Sequence, residues 1–212
     1  MTRNKPWILF DIGGVLELVE DGVWQEDLKE RWADRAGMSR AEYDTAIERA
    51  DLPRIDLVQG RAQEYWDGFA QALGFAPAQR DEALAEVWDA YCGAENRELI
   101  DYARALRARA GVAILSNSAD GAREEEERRY GFSAVFDPIC YSHEIGANKP
   151  DPDAYTAALA AMGAEPADVF FVDDRRQQID GAARLGIRGI VHRDNRTTIA
   201  AVEDFLTAAI GS

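Results

Sequence analysis

Polar side chains that could do chemistry follow three apolar runs of the sequence without a gap. WILF leads directly into Asp11, VAIL into Ser116 and Asn117, and VFFV into Asp173 and Asp174. Since the carboxyl ends of strands in an open parallel sheet line one crevice, we expect these side chains to converge on one place. A single strand often ends in Asp or Ser only because these residues start turns and cap helices. Three such strands together indicate a functional site.

The chemistry that these residue types favour is phosphate chemistry beside a metal ion. Acids this close to one another are costly unless a cation shares the site. Carboxylate oxygens without a nearby His or Cys favour Mg²⁺, which takes one or two carboxylates together with a substrate phosphate. Ser116 and Asn117 can donate hydrogen bonds to phosphate oxygens, and Lys149 in GANKPDPDAY is the natural cation to complete the site. A lone Lys-Pro is more often a surface feature, so the case for Lys149 depends on the other residues.

The elements that must position these residues follow an alternating pattern of strands and helices. Short apolar runs bounded by polar residues or glycine are typical of strands buried on both faces, and helical patterns lie between the later ones. This order predicts an α/β fold with a Rossmann-like parallel sheet. The predicted strands are residues 7–10, 112–115, 134–141, 169–172 and 189–192, and the predicted core helices are 95–110, closed by Gly111, 151–162 and 177–185.

The interval 16–92 differs from the rest because it is mostly helical and poor in strand patterns. We expect it to form an α-helical cap inserted into a core of residues 1–15 and 93–212, with hinges near 16–23 and 92–96. The run EEEE at 124–127 predicts a solvated helix face. The predicted cap helices are residues 24–36, 40–49, 61–73 and 77–90.

Composition and charge exclude several classes of function. The 212 residues are 47% hydrophobic, which suits one domain with an insertion, and the net charge of −15 argues against nucleic acid or an anionic membrane as partner. Cys92 and Cys140 are too few for a disulfide scaffold or a structural zinc site. No apolar stretch approaches the length of a membrane span or of a signal sequence, so we expect a cytoplasmic protein. The expected partner is a small phosphorylated metabolite, and the expected assembly is a monomer or a homodimer.

The motifs, taken in order, resemble those of the haloacid dehalogenase (HAD) superfamily over nearly the whole chain. FDIGGVL resembles the first motif, with Asp11 in the nucleophile position, and ILSNS resembles the second, with Ser116. Lys149 matches the third, and FVDD the fourth, with Asp174 as a direct Mg²⁺ ligand and Asp173 beside it. Each motif alone is weak, whereas the ordered set is specific. GGVL, S-x-E-x-G-x-x-KP and DD-x₅-DGA are similar to the subgroup of sugar-phosphate phosphatases and the N-terminal phosphatase domain of soluble epoxide hydrolases.

The resemblance implies a phosphatase that works by nucleophilic catalysis. Asp11 would attack phosphorus and form an aspartyl-phosphate, which water then hydrolyses. Mg²⁺ and Lys149 would neutralise the phosphoryl oxygens in the transition state. The resemblance also implies the metal ligands, which are Asp11, Asp174, Asp173 and the main-chain carbonyl of Gly13.

Gly13 departs from the superfamily's usual first motif, which is D-x-D. The second aspartate of that motif protonates the leaving oxygen and later activates water, and losing such a group typically costs about 10²–10⁴-fold in rate. Some relatives of the subgroup carry glycine there. A phosphatase tolerates the loss if the leaving group is good, as in an anomeric sugar, aryl or acyl phosphate, or if another group supplies the proton. Two alternative functions are also compatible with Gly13. One is a dehalogenase, in which the leaving halide needs no proton. The other is a binding or regulatory protein, which needs no turnover.

Three other side chains are candidates for the missing proton donor. His143 lies near Lys149 in sequence, His192 ends a predicted strand, and Glu17 follows the first motif. The more common interpretation is a loop or strand-end residue for each histidine and a flap residue for Glu17. Trp24, near the first hinge, is the cap aromatic best placed to touch a substrate.

Overall fold

The centre of the fold is a five-stranded sheet in which every strand pair is parallel. The computed structural model describes residues 5–19 and 23–211. The strands of this sheet are β1 (Trp7–Phe10), β4 (Gly111–Ser116), β5 (Ile139–Tyr141), β6 (Val169–Asp173) and β7 (Arg188–Val191). Two short strands, β2 (Glu17–Leu18) and β3 (Ala94–Glu95), form a separate pair. The main sheet has the order β5-β4-β1-β6-β7, so the strand order reverses beside β1. Ligands of open α/β sheets bind at this reversal.

Strands β1, β4 and β6 are buried on both faces by helices, which explains their unbroken apolar runs. Along β1, Ile8 and Phe10 belong to one apolar cluster and Leu9 to the other, because successive strand residues point to opposite faces. The core helices are α5 (Arg97–Leu106), α6 (Ala122–Tyr130), α7 (Ser142–Ile145), α8 (Pro152–Met162), α9 (Arg176–Arg184) and α10 (Asn195–Gly211). The four helices that precede α5 in the chain are α1 (Val23–Ala36), α2 (Arg40–Arg49), α3 (Ala62–Leu73) and α4 (Pro77–Tyr91).

Helices α1 to α4 surround an apolar cluster of their own. Trp32, Trp66 and Phe69 lie at its centre, and their rings contact one another edge-on. The chain enters this bundle after β2 and leaves it through β3, and β2 and β3 pair antiparallel. The four helices agree with the predicted cap helices to within one residue at each end. The division into core and cap at 16 and 92 stays a prediction, and residues 20–22 of the predicted first hinge lie outside the described residues.

The predicted helix at 95–110 is too long, and its closure by Gly111 is wrong. The helix spans Arg97–Leu106, and Gly111 is instead the first residue of β4. A Cβ at Gly111 would lie 2.3 Å from the ring of Trp7 on the neighbouring strand. The glycine is therefore needed for the approach of β4 to β1, a tertiary requirement that the local pattern does not contain. The predicted strand at 134–141 is likewise shorter, since only Ile139–Tyr141 pairs with β4.

The acidic run at 124–127 is not wholly a solvated helix face. Glu126 is completely buried, and the Tyr141 hydroxyl donates to its carboxylate. Burial raises the pKa of Glu126 to about 8. The other three acids lie at least partly in solvent, so the expectation holds for them alone. None of the helices in the described part of the chain is both long and apolar enough to cross a membrane.

Candidate active site

The ends of three strands bring the predicted residues to one edge of the sheet. Asp11 directly follows β1, Ser116 is the last residue of β4, and Asp173 is the last residue of β6. The Asp11 amide donates to the carbonyl of Val172 at 2.8 Å, which extends the pairing of β1 with β6 by one bond. The register of the sheet therefore fixes the position of Asp11 before any side-chain contact is made.

Lys149 joins the two acids on either side of the sheet reversal. Its Nζ lies 2.7 Å from Asp11 Oδ1 and 2.8 Å from Asp173 Oδ2, and the residue is only 3% exposed. Burial lowers the pKa of Lys149, but the two carboxylates raise it above its ordinary value, so the ammonium stays charged. Burial raises the pKa of Asp11 well above its usual range, and Lys149 opposes that rise. The ammonium of Lys149 thus favours the ionised form of Asp11 against the effect of burial.

The side chain of Asn117 holds the loop of Lys149 against the end of β4. The Lys149 amide donates to Asn117 Oδ1 at 2.7 Å, and Asn117 Nδ2 donates to the Lys149 carbonyl at 2.9 Å. Both ends of the side-chain amide are therefore used within the protein. Sequence reasoning proposed Asn117 as a phosphate ligand; that role stays a prediction, and the structure adds the positioning of Lys149.

The three acids form a cluster that fits a hard divalent cation. Asp11, Asp173 and Asp174 each offer an oxygen atom, and these atoms lie within 4.8 Å of one another. The oxygens of Asp173 accept from Lys149 Nζ and from the Arg175 amide at 2.8 Å each, so this acid is anchored by the protein. A set of carboxylate oxygens without His or Cys suits Mg²⁺.

Gly14 makes room for the acid cluster. Its φ is +71°, and a Cβ at this position would lie 2.7 Å from Asp174 Oδ2. Any other residue would meet both backbone strain and a clash with the carboxylate. The space that this glycine leaves open beside Asp174 allows that carboxylate to join the acid cluster.

A small pocket of about 60 Å³ opens over Asp11. Asp11, Gly13, Ser116, Asn117 and Lys149 line it, all of which the sequence had indicated. Sequence reasoning missed other residues of the lining because their signal is tertiary: Tyr91 and Val19 come from the ends of the cap, and Arg175 and Gln178 from the start of α9. Glu17 also lines this pocket.

The sequence matches the family model described as haloacid dehalogenase-like hydrolase over residues 6–186. The chain belongs to this family. It is 32% identical over 169 residues to a phosphoserine phosphatase of Thermus thermophilus, covering 75% of this chain and 66% of the relative. It is 29% identical over 166 residues to an (S)-2-haloacid dehalogenase of Xanthobacter autotrophicus, covering 72% of this chain and 64% of the relative.

The fold of this HAD hydrolase is also that of solved family members. One is a HAD family enzyme of Bacteroides thetaiotaomicron whose structure holds magnesium and inorganic phosphate. The two chains superpose with a TM-score of 0.67 at 22% identity, covering 90% of this chain and 95% of the other. This likeness confirms the predicted α/β fold, and the family match confirms the predicted HAD hydrolase.

The histidines of the hydrolase lie away from the described lining of the pocket. His143 is buried, with Nδ1 2.9 Å from Ser118 Oγ, and His192 is buried, with Nδ1 2.8 Å from Thr198 Oγ1. Burial lowers the pKa of both imidazoles, which favours their neutral form. Neither histidine is therefore placed in this structure to replace the missing proton donor, and both form hydrogen bonds in the core.

Proposed function

We propose that this hydrolase is a Mg²⁺-dependent phosphatase that acts on a small phosphorylated metabolite through an aspartyl-phosphate at Asp11. The observation that carries the proposal is the contact of Asp11 with the buried Lys149, inside a pocket of phosphoryl size and beside two further acids. A phosphoserine phosphatase among the relatives supports the same reaction class.

The proposed reaction has two displacements at phosphorus. Asp11 Oδ attacks phosphorus, the ester bond breaks with its electron pair on the leaving oxygen, and an aspartyl-phosphate forms. Water then attacks the same phosphorus and releases inorganic phosphate and free Asp11. Lys149 balances the charge of the phosphoryl oxygens, and Ser116 donates to one of them.

Mg²⁺ is the cation that best fits this donor set. Asp11, Asp174, Asp173 and the Gly13 carbonyl are the proposed ligands. The bound cation supplies positive charge that favours ionised Asp11 and offsets the charge of the phosphoryl group.

Gly13 restricts the proposed substrate. With no side chain at that position, the leaving oxygen receives no proton from there, and a poor leaving group would lose about 10²–10⁴-fold in rate. We therefore place the substrate among esters with a good leaving group, such as aryl, acyl or anomeric sugar phosphates.

Haloacid dehalogenation is the second candidate function. The haloacid dehalogenase relative and the missing acid both favour it, since a halide leaves without a proton. The acid cluster favours the phosphatase instead, because displacement of a halide from carbon has no need of a site for a divalent cation.

The deciding experiment is phosphate release from acetyl, p-nitrophenyl, glucose-1- and glycerol phosphates, with Mg²⁺ or with EDTA, and chloride release from 2-chloropropionate. We expect turnover of the first three only with Mg²⁺, none in Asp11→Asn, and full activity in the control Asp180→Asn, an acid that pairs with Arg176 on α9. Chloride release without metal would move the assignment to a dehalogenase. Absence of both activities would leave a binding or regulatory protein.

A further inference from the structure

The pocket at Asp11 is too small for more than the phosphoryl group. Its volume is about 60 Å³, well below that of a cavity of about 150 Å³ that accepts benzene in a protein core. The organic part of a phosphate ester must therefore lie outside it. Tyr91, the last residue of α4, lines the pocket from the cap.

A second cavity lies among the cap helices on the other side of Tyr91. Its volume is about 570 Å³, which falls within the usual range of small-molecule sites. Trp24 and Trp88 line it, and both rings contact the Tyr91 ring edge-on, with centroids 6.3 Å and 5.5 Å away. The rings of Trp24, Trp88 and Tyr91 thus lie between the two cavities.

Hydrogen bonds also tie one wall of this cap cavity to the catalytic loops. Ile55 and Asp56 belong to that wall. The Asp120 amide donates to the Ile55 carbonyl at 2.8 Å, and Asn148 Nδ2 donates to Asp56 Oδ2 at 2.8 Å. Since Asn148 directly precedes Lys149, the cap cavity is anchored to the same loop that carries the catalytic cation.

The walls of the cap cavity favour an aromatic occupant. Aromatic rings that meet edge-on offer further edges and faces to a ring of the ligand. The charged residues Lys29, Asp44 and Arg54 have exposed side chains and so mark the mouth. The aromatic residues of the lining include Trp24, Trp32, Tyr43, Tyr65, Trp66 and Trp88.

We propose that the cap cavity holds the ring system of an aryl phosphate whose phosphoryl group enters the pocket at Asp11. The proposal deepens the phosphatase function and rests on it. A cavity of about 150 Å³ accepts benzene in a protein core, so the cap cavity has room for two or three fused rings. The two cavities share no lining residue in the described chain, so an ester that spans both requires the rings between them to move apart.

Gly13 supports the same substrate class independently. When Asp11 takes the phosphoryl group, the bond between phosphorus and the phenolic oxygen breaks with its electron pair on that oxygen. A phenolate is stable enough to leave in this form and takes its proton from water, whereas an alkoxide needs an acid in the enzyme. The aromatic cavity and the missing general acid therefore favour the same class of substrate, an aryl phosphate.

The test compares 2-naphthyl phosphate with acetyl phosphate, which has a good leaving group but no ring, in the presence of Mg²⁺. Val87→Phe fills the cap cavity from α4, and Ala85→Phe, an exposed position on the same helix, is the matched control. We expect Val87→Phe to lose at least about tenfold in kcat/KM for 2-naphthyl phosphate and to keep its activity on acetyl phosphate. Ile47→Phe fills the cavity from α2 if Val87→Phe fails to fold. Calorimetric titration with 2-naphthol should show binding to the wild type and to Ala85→Phe only.

The outcomes separate this inference from the phosphatase function. Turnover of acetyl phosphate, with equal activity of the wild type and of Val87→Phe on 2-naphthyl phosphate, overturns the aryl site alone. Absence of 2-naphthol binding to the wild type also overturns it. Failure of the wild type to hydrolyse any phosphate ester overturns the phosphatase function and the aryl site together.

Discussion

Replacing Lys149 by Met removes the cation between two buried acids and keeps a side chain of similar length. Lys149 Nζ lies 2.7 Å from Asp11 Oδ1 and 2.8 Å from Asp173 Oδ2. The Coulomb attraction of each ion pair is worth about 6 kcal/mol at an effective dielectric constant of about 20. Desolvation of the ammonium cancels much of this gain, so we expect a net loss of about 3–5 kcal/mol in the free energy of unfolding. The loss arises because Asp11 and Asp173 are left buried without their partner.

The loss should depend on pH in a defined direction. Burial already raises the pKa of Asp11, and removal of Lys149 raises it further. A group with a raised pKa in the folded state keeps its contribution to stability below its unfolded pKa and loses it as the pH rises through the folded value. Lys149→Met should therefore cost least near pH 4 and most near pH 8.

Urea unfolding at pH 4 and pH 8, followed by tryptophan fluorescence, measures this difference. Lys29→Met is the control, since Lys29 pairs with Glu26 at 2.6 Å on the surface and should lose less than about 1 kcal/mol at either pH. An equal loss for Lys149→Met at both pH values would show that burial of the unpaired acids is not the cause of the lost stability.

Three further predictions concern single groups around the site and the core. The stability of Glu126→Gln relative to the wild type should rise by several kcal/mol between pH 5 and pH 8, because the wild-type carboxyl has a pKa of about 8 in the folded state and loses its contribution over that interval. A stability difference between the two proteins that does not change with pH in urea titrations would contradict this. Gly14→Ala should weaken Mg²⁺ binding in calorimetry, whereas Gly163→Ala, with φ +60° but nothing within 4 Å of its Cβ, should lose only stability. Asp174→Asn should abolish the rise in Tm on addition of Mg²⁺, and Asp180→Asn should keep it.

The elements that the sequence predicted well are those whose patterns are local. Helix α2 begins after Ser39, whose hydroxyl accepts from the Glu42 amide while Glu42 accepts from the Ser39 amide, and this capping box is readable from four residues. Strand β1 was predicted at its observed bounds because burial on both faces makes its run unbroken. The convergence of the Asp and Ser residues was predicted because they follow apolar runs directly and because the carboxyl ends of parallel strands lie at one edge of the sheet.

The features that were missed depend on contacts between distant residues. Gly111 looks like a helix terminator, but its role is to admit the ring of Trp7 from another strand. The acidic run predicts a solvated Glu126, but its side chain is buried and accepts a hydrogen bond from the hydroxyl of Tyr141, which lies 15 residues further along the chain. Tyr91 carries no motif at all, and its place in the pocket follows from how the cap meets the core. Such pairings are set by topology rather than by local pattern.

The proposed mechanism requires Asp11 to become phosphorylated during turnover. The direct measurement is rapid acid quench of the wild type with acetyl phosphate and Mg²⁺, followed by mass spectrometry of the peptide that contains Asp11. We expect this peptide to gain the mass of one phosphoryl group early in the reaction, and we expect no gain in EDTA-treated protein or in Asp11→Asn. Turnover in which the phosphoryl group appears on another residue, or never on the protein, would contradict this mechanism.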